Sequence, residues 1–256
     1  MGDKLERAMK KIQELENGRI SIIAYSTKEE RFLSSLNSDL TVPLASSAKV
    51  AVGFAVAKDV EEGLLGWETI VENIAFNTAE DSEVLYPHFQ QRNSLTLGEA
   101  VEVMIACHDS FVAKCIVRSC GGWDKINQTI QAEFPSIHVT ENPRDPGNRG
   151  QLNQVLNLLL HIFKEYKNRP QTWVPLITGL VRQQGEIDDI PSHHLNHMTG
   201  GLENAVVDIG VLGNFNDNPI VFALGAFDLP DRNENSEADL KIGEALRLLY
   251  DYFKNQ

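Results

Sequence analysis

Between Val50 and Ala57 every residue is apolar or glycine. A helix built from such a run has no polar face to turn toward solvent, so it must be covered on all sides. The rest of the chain has to supply the layers around it. Just ahead lie Pro43 and a run of small residues that leads into Ser46, and Lys49 follows three residues later. Residues three apart on a helix face the same way. A hydroxyl and an amine at the mouth of a core helix make a candidate nucleophile and base.

The chain can bury such a helix: it has 256 residues, 42% of them hydrophobic, which fits one large domain or two lobes. Its net charge of −13 argues against nucleic acid, which needs a basic footprint, and against anionic membrane surfaces. No stretch is long and apolar enough to span a bilayer, and the first eighteen residues, MGDKLERAMKKIQELENG, lack the apolar run of a signal peptide. The expectation is a cytoplasmic protein, although a mature form whose leader had been removed would read the same way. Cys107, Cys115 and Cys120 are odd in number and show no CxxC spacing. They read as reduced thiols in helix cores, not as a disulfide framework.

Along the chain, Leu5, Ala8, Met9, Ile12 and Leu15 recur at helical spacing before Asn17-Gly18. Arg19–Tyr25 and Arg31–Leu36 form a predicted hairpin. Trp67–Asn93 has no clear period and reads as a loop-rich excursion. Thr96 with Glu99 has the form of a capping box, opening a helix that runs to Cys107. His108-Asp109-Ser110 interrupts, with His108 a possible capping residue, and helical patterns follow over Phe111–Cys120 and Trp123–Phe134. Pro135–Gly150 reads as loop, Gln151–Tyr166 and Thr172–Gln184 as helices. The period then changes: Leu195–Thr199, Ala205–Leu212 and Pro219–Phe227 read as strands. Ser236 with Asp239 can cap a last helix, apolar at Leu240, Leu246, Leu249 and Phe253. A sheet split by a helical insertion needs both chain ends to build one lobe, here 1–45 with 185–256, leaving 46–184 as a helical lobe.

This layout resembles the serine β-lactamase and penicillin-binding-protein superfamily, class A β-lactamases most closely. Three motifs carry the resemblance. Pro43-Leu44-Ala45-Ser46-Ser47-Ala48-Lys49 is similar to the S-x-x-K motif with its lead-in, Leu95–Gly122 is similar to the helix–SDN–helix–GG unit, and Met198-Thr199-Gly200-Gly201 occupies the place of K-T-G. The resemblance spans roughly residues 5–255. It implies an α/β (α+β) fold of two lobes, with an antiparallel sheet flanked by N- and C-terminal helices beside an all-helical lobe. It further implies a small-molecule acyl or β-lactam-like substrate and no cofactor.

Several positions depart from the pattern. The second motif reads His108-Asp109-Ser110, Met198 replaces the lysine of the third, and Ala205–Leu212 has no Arg or Lys where many relatives grip a substrate carboxylate. The loop Pro135–Gly150 lacks the Glu-x-x-x-Asn arrangement; Glu141 is its one glutamate and so the possible deacylation base. Lys49 can act as a base only when neutral, which requires a lowered pKa. His108 could supply the missing cation when protonated, or shuttle protons when neutral. The remaining candidates are Ser110 in the catalytic group, and Thr199, Gly200 and Gly201 on the substrate side. Backbone N–H groups of Ser46 and Gly201 would form the oxyanion site.

The pattern supports a serine hydrolase working through acyl-Ser46 on an amide, ester or β-lactam, with poor β-lactam turnover and a preference for carboxylate-free esters. The alternative is a non-catalytic member that binds a small ligand or partner in the same cleft. His193, His194 and His197 form HHxxH, but with no carboxylate or cysteine nearby in sequence they read as a solvated strand entry and not a metal site.

Overall fold

A computed structural model of the chain describes Leu5, residues 8–10, Ile12, residues 14–183 and residues 186–255. The predicted hairpin is present: β1 (Arg19–Ser26) pairs antiparallel with β2 (Arg31–Leu36). A short strand β3 (Thr41–Pro43) leads to a 3₁₀ turn over Ala45–Ser47 and then to the core helix α1 (Ala48–Glu61). The irregular stretch that follows holds β4 (Ile70–Glu72) and one helical turn, α2 (Ser82–Leu85). It closes on β5 (Ser94–Thr96), which pairs with β4, a pairing too short to leave a period in the sequence.

The helices come next. α3 (Leu97–Ala106) opens with both hydrogen bonds of the Thr96–Glu99 capping box. α4 (Ser110–Ser119) and α5 (Trp123–Glu133) follow. The loop after them ends in β6 (Arg149–Gln151), which pairs with β3 and so ties this loop to the chain just before Ser46. α6 (Leu152–Asn168) and α7 (Pro170–Arg182) complete the helical run; Gln184, the end expected for the second, lies outside the described residues.

Three long strands and a helix close the chain: β7 (Leu195–Leu202), β8 (Ala205–Leu212), β9 (Ile220–Phe227) and α8 (Glu237–Lys254). β7 runs three residues past its expected end at Thr199. The first residue of α8 follows Ser236, but Ser236 makes no side-chain cap, and Asp239 pairs with Arg232 instead.

The main sheet is antiparallel throughout, in the order β2-β1-β9-β8-β7. β8 and β9 are buried at every position, because helices cover both faces of the sheet and no alternation with solvent is left. On one face Ile22, Phe222 and Leu224 pack against Met9 and Ile12 near the N-terminus and Leu246 and Leu249 of α8. On the other, Val207, Ile209 and Val221 join a second core that extends through α1 into the helices. α1 is buried on all sides, as its composition requires: Phe54 meets the rings of Phe134 at 5.3 Å and Trp173 at 5.9 Å. Gly53 lets two helices come close, since a Cβ there would lie 3.2 Å from both Ile105 and Leu176. β7 is left as a sheet edge, next to the turn that carries Ser46.

Candidate active site

Ser46 does not open the α-helix itself. It sits in the 3₁₀ turn, one residue after Ala45, whose φ of 47° lies in the left-handed region. A non-glycine residue there costs about 1–3 kcal/mol and persists only where its surroundings hold it. They do so here. Asn148 donates from Nδ2 to the Ala45 carbonyl at 2.9 Å and accepts from the Leu44 N–H at 2.9 Å, and Ser47 Oγ donates to the Leu44 carbonyl at 2.6 Å. Asn148, at the end of the loop before β6, is a support of this turn that the sequence pattern does not reveal.

Lys49, on the first turn of α1, is 5% exposed, and its Nζ donates to Ser46 Oγ at 3.2 Å. Burial pushes this amine down to about 8, while the carboxylates of Glu80 and Asp109 pull it back up. Near neutral pH roughly a tenth of it is the free base. Gly200 presses β7 against the same turn: a Cβ there would stand 2.4 Å from the Leu44 carbonyl oxygen and 3.1 Å from the Ser46 nitrogen. Thr199 and Gly201 flank this contact on the edge strand, with Gly201 exposed. Met198 points to the opposite face from Thr199 and is fully buried in the core that contains α1.

The second motif works differently from the sequence reading. Asp109, not His108, caps α4: its Oδ1 accepts from the N–H groups of Phe111 at 2.9 Å and Val112 at 3.0 Å. Its Oδ2 accepts from the Asn77 N–H at 3.0 Å, so this fully buried carboxylate is spent on backbone. His108 has a left-handed φ of 55°, and its Nε2 is in close contact with Nε2 of Gln183. Burial, then Lys49, then His197 push the imidazole down to about 4. It is therefore neutral at physiological pH and does not supply the cation that the sequence allowed there. Ser110 Oγ accepts from Asn77 Nδ2 at 3.3 Å, and Asn77 also reaches Glu80 Oε1 at 3.5 Å. Neither Asn77 nor Glu80 stands out in the sequence, because both lie in the stretch without a period.

A small cavity of about 20 Å³ is bordered by Lys49, Ser110, Asn148 and Glu141. That is room for about one water molecule. Glu141 is exposed, and its carboxylate pairs with Lys114 at 3.1 Å. Beyond Gly201 the site widens into an open cleft of about 800 Å³ with Arg144 and Arg232 among its walls. A cation thus stands beside the site although β8 carries none. Arg232 is largely committed, however: it donates to the carbonyls of Leu202 at 2.9 Å and Ala205 at 3.1 Å and grips Asp239 through two nitrogens. Four of its five N–H groups are used.

The histidines of HHxxH do not form a solvated cluster. His193 is exposed, His194 Nδ1 bonds the Tyr250 hydroxyl at 2.9 Å, and His197 is 4% exposed with its Nδ1 at 2.7 Å from Asp208 Oδ1. Among the described residues no group of His, Cys, Asp and Glu is arranged to hold a metal ion, and no helix is long and apolar enough to cross a membrane.

A serine hydroxyl bonded by a buried lysine thus lies in a turn beside the edge strand of an antiparallel sheet. Proteins of known structure share this fold. The model of the beta-lactamase enzyme family matches residues 4–253, so the chain belongs to that family. A mutant of PBP-A in acyl-enzyme complex with penicillin G aligns with a TM-score of 0.81 at 19% identity, over 100% of this chain and 98% of that one. An ancestral class A β-lactamase aligns with a TM-score of 0.77 at 17% identity, over 97% of this chain and 99% of that one. A β-lactamase from Xanthomonas campestris pv. campestris gives 0.76 at 14% identity, over 98% and 97%. No curated protein matches the chain.

Proposed function

We propose that the chain is a serine acyl-transfer enzyme that works through acyl-Ser46 on a small amide, ester or β-lactam and releases the acyl group slowly. The observation that carries this reading is the bond between Lys49 Nζ and Ser46 Oγ at 3.2 Å, made by an amine that burial brings down to about 8. The neutral amine takes the Ser46 proton while Oγ bonds to the acyl carbon, and the carbonyl π electrons move onto its oxygen. N–H groups of Ser46 and Gly201 hold that oxygen, an interaction worth about 2.7–4 kcal/mol in other hydrolases. As the carbonyl re-forms, the bond to the leaving group breaks, and the Lys49 ammonium or His108 as shuttle delivers a proton to it. Gly200 and Ser110 border the reacting pair, whereas Thr199 faces the cleft that holds His197 and Asp208.

The same geometry supports slow release. A water in the small cavity beside Lys49 would need a base, and the candidate from the sequence, Glu141, is turned toward Lys114. A mutant of PBP-A, to which the chain is similar, is seen as an acyl-enzyme complex with penicillin G. A fluorescent penicillin and a fluorophosphonate test the reading. Wild type should be labelled and Ser46→Ala should not; equal labelling of the two, or none, rejects it.

A second reading, a non-catalytic binder using the same cleft, draws on the apolar Met198 and the neutral His108, which leave Lys49 without a cationic neighbour from either motif. Turnover of simple acyl esters that depends on both Ser46 and Lys49 would eliminate it.

A further inference from the structure

One buried side-chain amide beside the nucleophile is only half used. Asn148 is 1% exposed, and its Nδ2 donates to the carbonyls of Ala45 at 2.9 Å and Pro143 at 3.1 Å. Its Oδ1 is closed off from solvent and has no hydrogen-bond partner among the described residues. A buried acceptor left bare costs about 1–3 kcal/mol. Asn148 also borders the small cavity of about 20 Å³, and it shares that cavity with Lys49 of α1 and Ser110 of α4. A buried water needs room for one molecule and two to four polar partners, and this cavity offers both. Asn148 Oδ1 can accept from the water. Lys49 Nζ uses one hydrogen on Ser46 Oγ at 3.2 Å and has others to give, and the Ser110 hydroxyl, which accepts from Asn77 Nδ2 at 3.3 Å, still has its own hydrogen. Val52 and Ala113 close the apolar side.

We propose that Asn148 Oδ1 and Lys49 Nζ together hold the water that hydrolyses the acyl-Ser46 ester. The proposal rests on the reading of Ser46 as the nucleophile. Both partners of the water are tied to Ser46: Asn148 through the carbonyl of Ala45, its neighbour in the chain, and Lys49 through the bond to its Oγ. The water oxygen bonds to the acyl carbon while one of its protons passes to the neutral Lys49 amine and the carbonyl π electrons move onto the carbonyl oxygen. As the carbonyl re-forms, the bond from the acyl carbon to Ser46 Oγ breaks, and the Lys49 ammonium returns the proton to Oγ. The acid leaves and the serine is restored. Glu141 borders the same cavity but is paired with Lys114 at 3.1 Å, so Lys49 serves both halves of the reaction. It must be neutral a second time for release, which keeps that step slow. The confinement also decides the acceptor: a cavity of about 20 Å³ takes a water and has no room for an alcohol.

Intact-protein mass spectrometry after a pulse of penicillin G or of an activated aryl ester gives the rates at which the Ser46 adduct forms and decays. Val52→Ile and Ala113→Val each add methyl groups at the wall of the cavity. Adduct formation should stay within about twofold of wild type in both, while decay slows about tenfold or more because the water has lost its place. Asn148→Ala removes the acceptor and should slow decay by a larger factor than formation; a residue that only braced the turn would slow the two alike. The wild type supplies a test that needs no variant: with methanol added to the buffer, the released product should remain the free acid. Unchanged decay in both filled variants, a methyl ester formed by wild type in proportion to the methanol, or a wild-type adduct that never decays overturns the water site. Absence of any adduct on Ser46 with either reagent overturns the Ser46 reading itself.

Discussion

Ala45 and Lys49 are each held in a state they would not choose alone, one in a left-handed backbone and the other as a lysine away from water. The first is sustained by Asn148. Asn148→Ala removes the donor to the Ala45 carbonyl from a buried site and should cost about 1–3 kcal/mol in urea unfolding, with reduced labelling of Ser46 in the protein that remains folded. The second sets the pH dependence. In the proposed reaction Ser46 needs the neutral amine, whose fraction falls about tenfold for each pH unit below its midpoint. Acylation should therefore rise with pH and level off above about 8. Lys49→Met should lower the rate by about 10²–10⁴-fold, the usual contribution of a positioned base. A profile flat across this range, or a Lys49→Met variant as fast as wild type, would show that the lysine is not the base.

At the scale of elements, the site depends on how closely the edge strand β7 approaches the turn before α1. Gly200→Ala sets a methyl group 2.4 Å from the Leu44 carbonyl oxygen, so strand and turn must separate. Folding should survive with a lowered melting temperature while Ser46 labelling is lost; unchanged labelling would mean that the strand edge takes no part. Behind the same strand, the buried His197–Asp208 pair joins β7 to β8. Burial works against a charged ring, but the charge and hydrogen bond of Asp208 outweigh it and raise the His197 value. A raised folded value means that the pair's stabilisation is fully present below the unfolded value of about 6.5 and is lost as pH rises through the folded one. The gap in melting temperature between wild type and Asp208→Asn should thus be widest below about pH 6 and narrow on going alkaline. A gap that widens with pH would reverse the assignment.

Across the whole molecule, what the sequence discloses follows from range. The core helix, the hairpin, the capping box at Thr96 and the three late strands are local patterns of burial and hydrogen bonding, and they stand in the structure nearly as read. The β4–β5 and β3–β6 pairings are only three residues long and join segments distant in sequence, so no period betrays them. The site divides in the same way. Ser46 and Lys49 share a helical turn and can be read from spacing, and Gly200 from its motif. Asn148, Asn77, Glu80 and Gln183 come to the site from loops and a helix end, where residue type alone carries no signal. His197 escaped for another reason: its partner Asp208 is eleven residues away on the next strand, and the histidine-rich string suggested solvent. Membership of the beta-lactamase enzyme family fixes the frame, and the altered residues fall in the motifs around Ser46.

The central claim is that Ser46 takes up an acyl group with Lys49 as its base. Peptide-mapping mass spectrometry after exposure to penicillin G and to an activated aryl ester tests it most directly. The account predicts an acyl adduct on the peptide bearing Ser46 that forms faster as pH approaches about 8 and decays slowly once reagent is removed. Protein that carries no adduct at Ser46 with either reagent, or carries it equally in Lys49→Met, would contradict it.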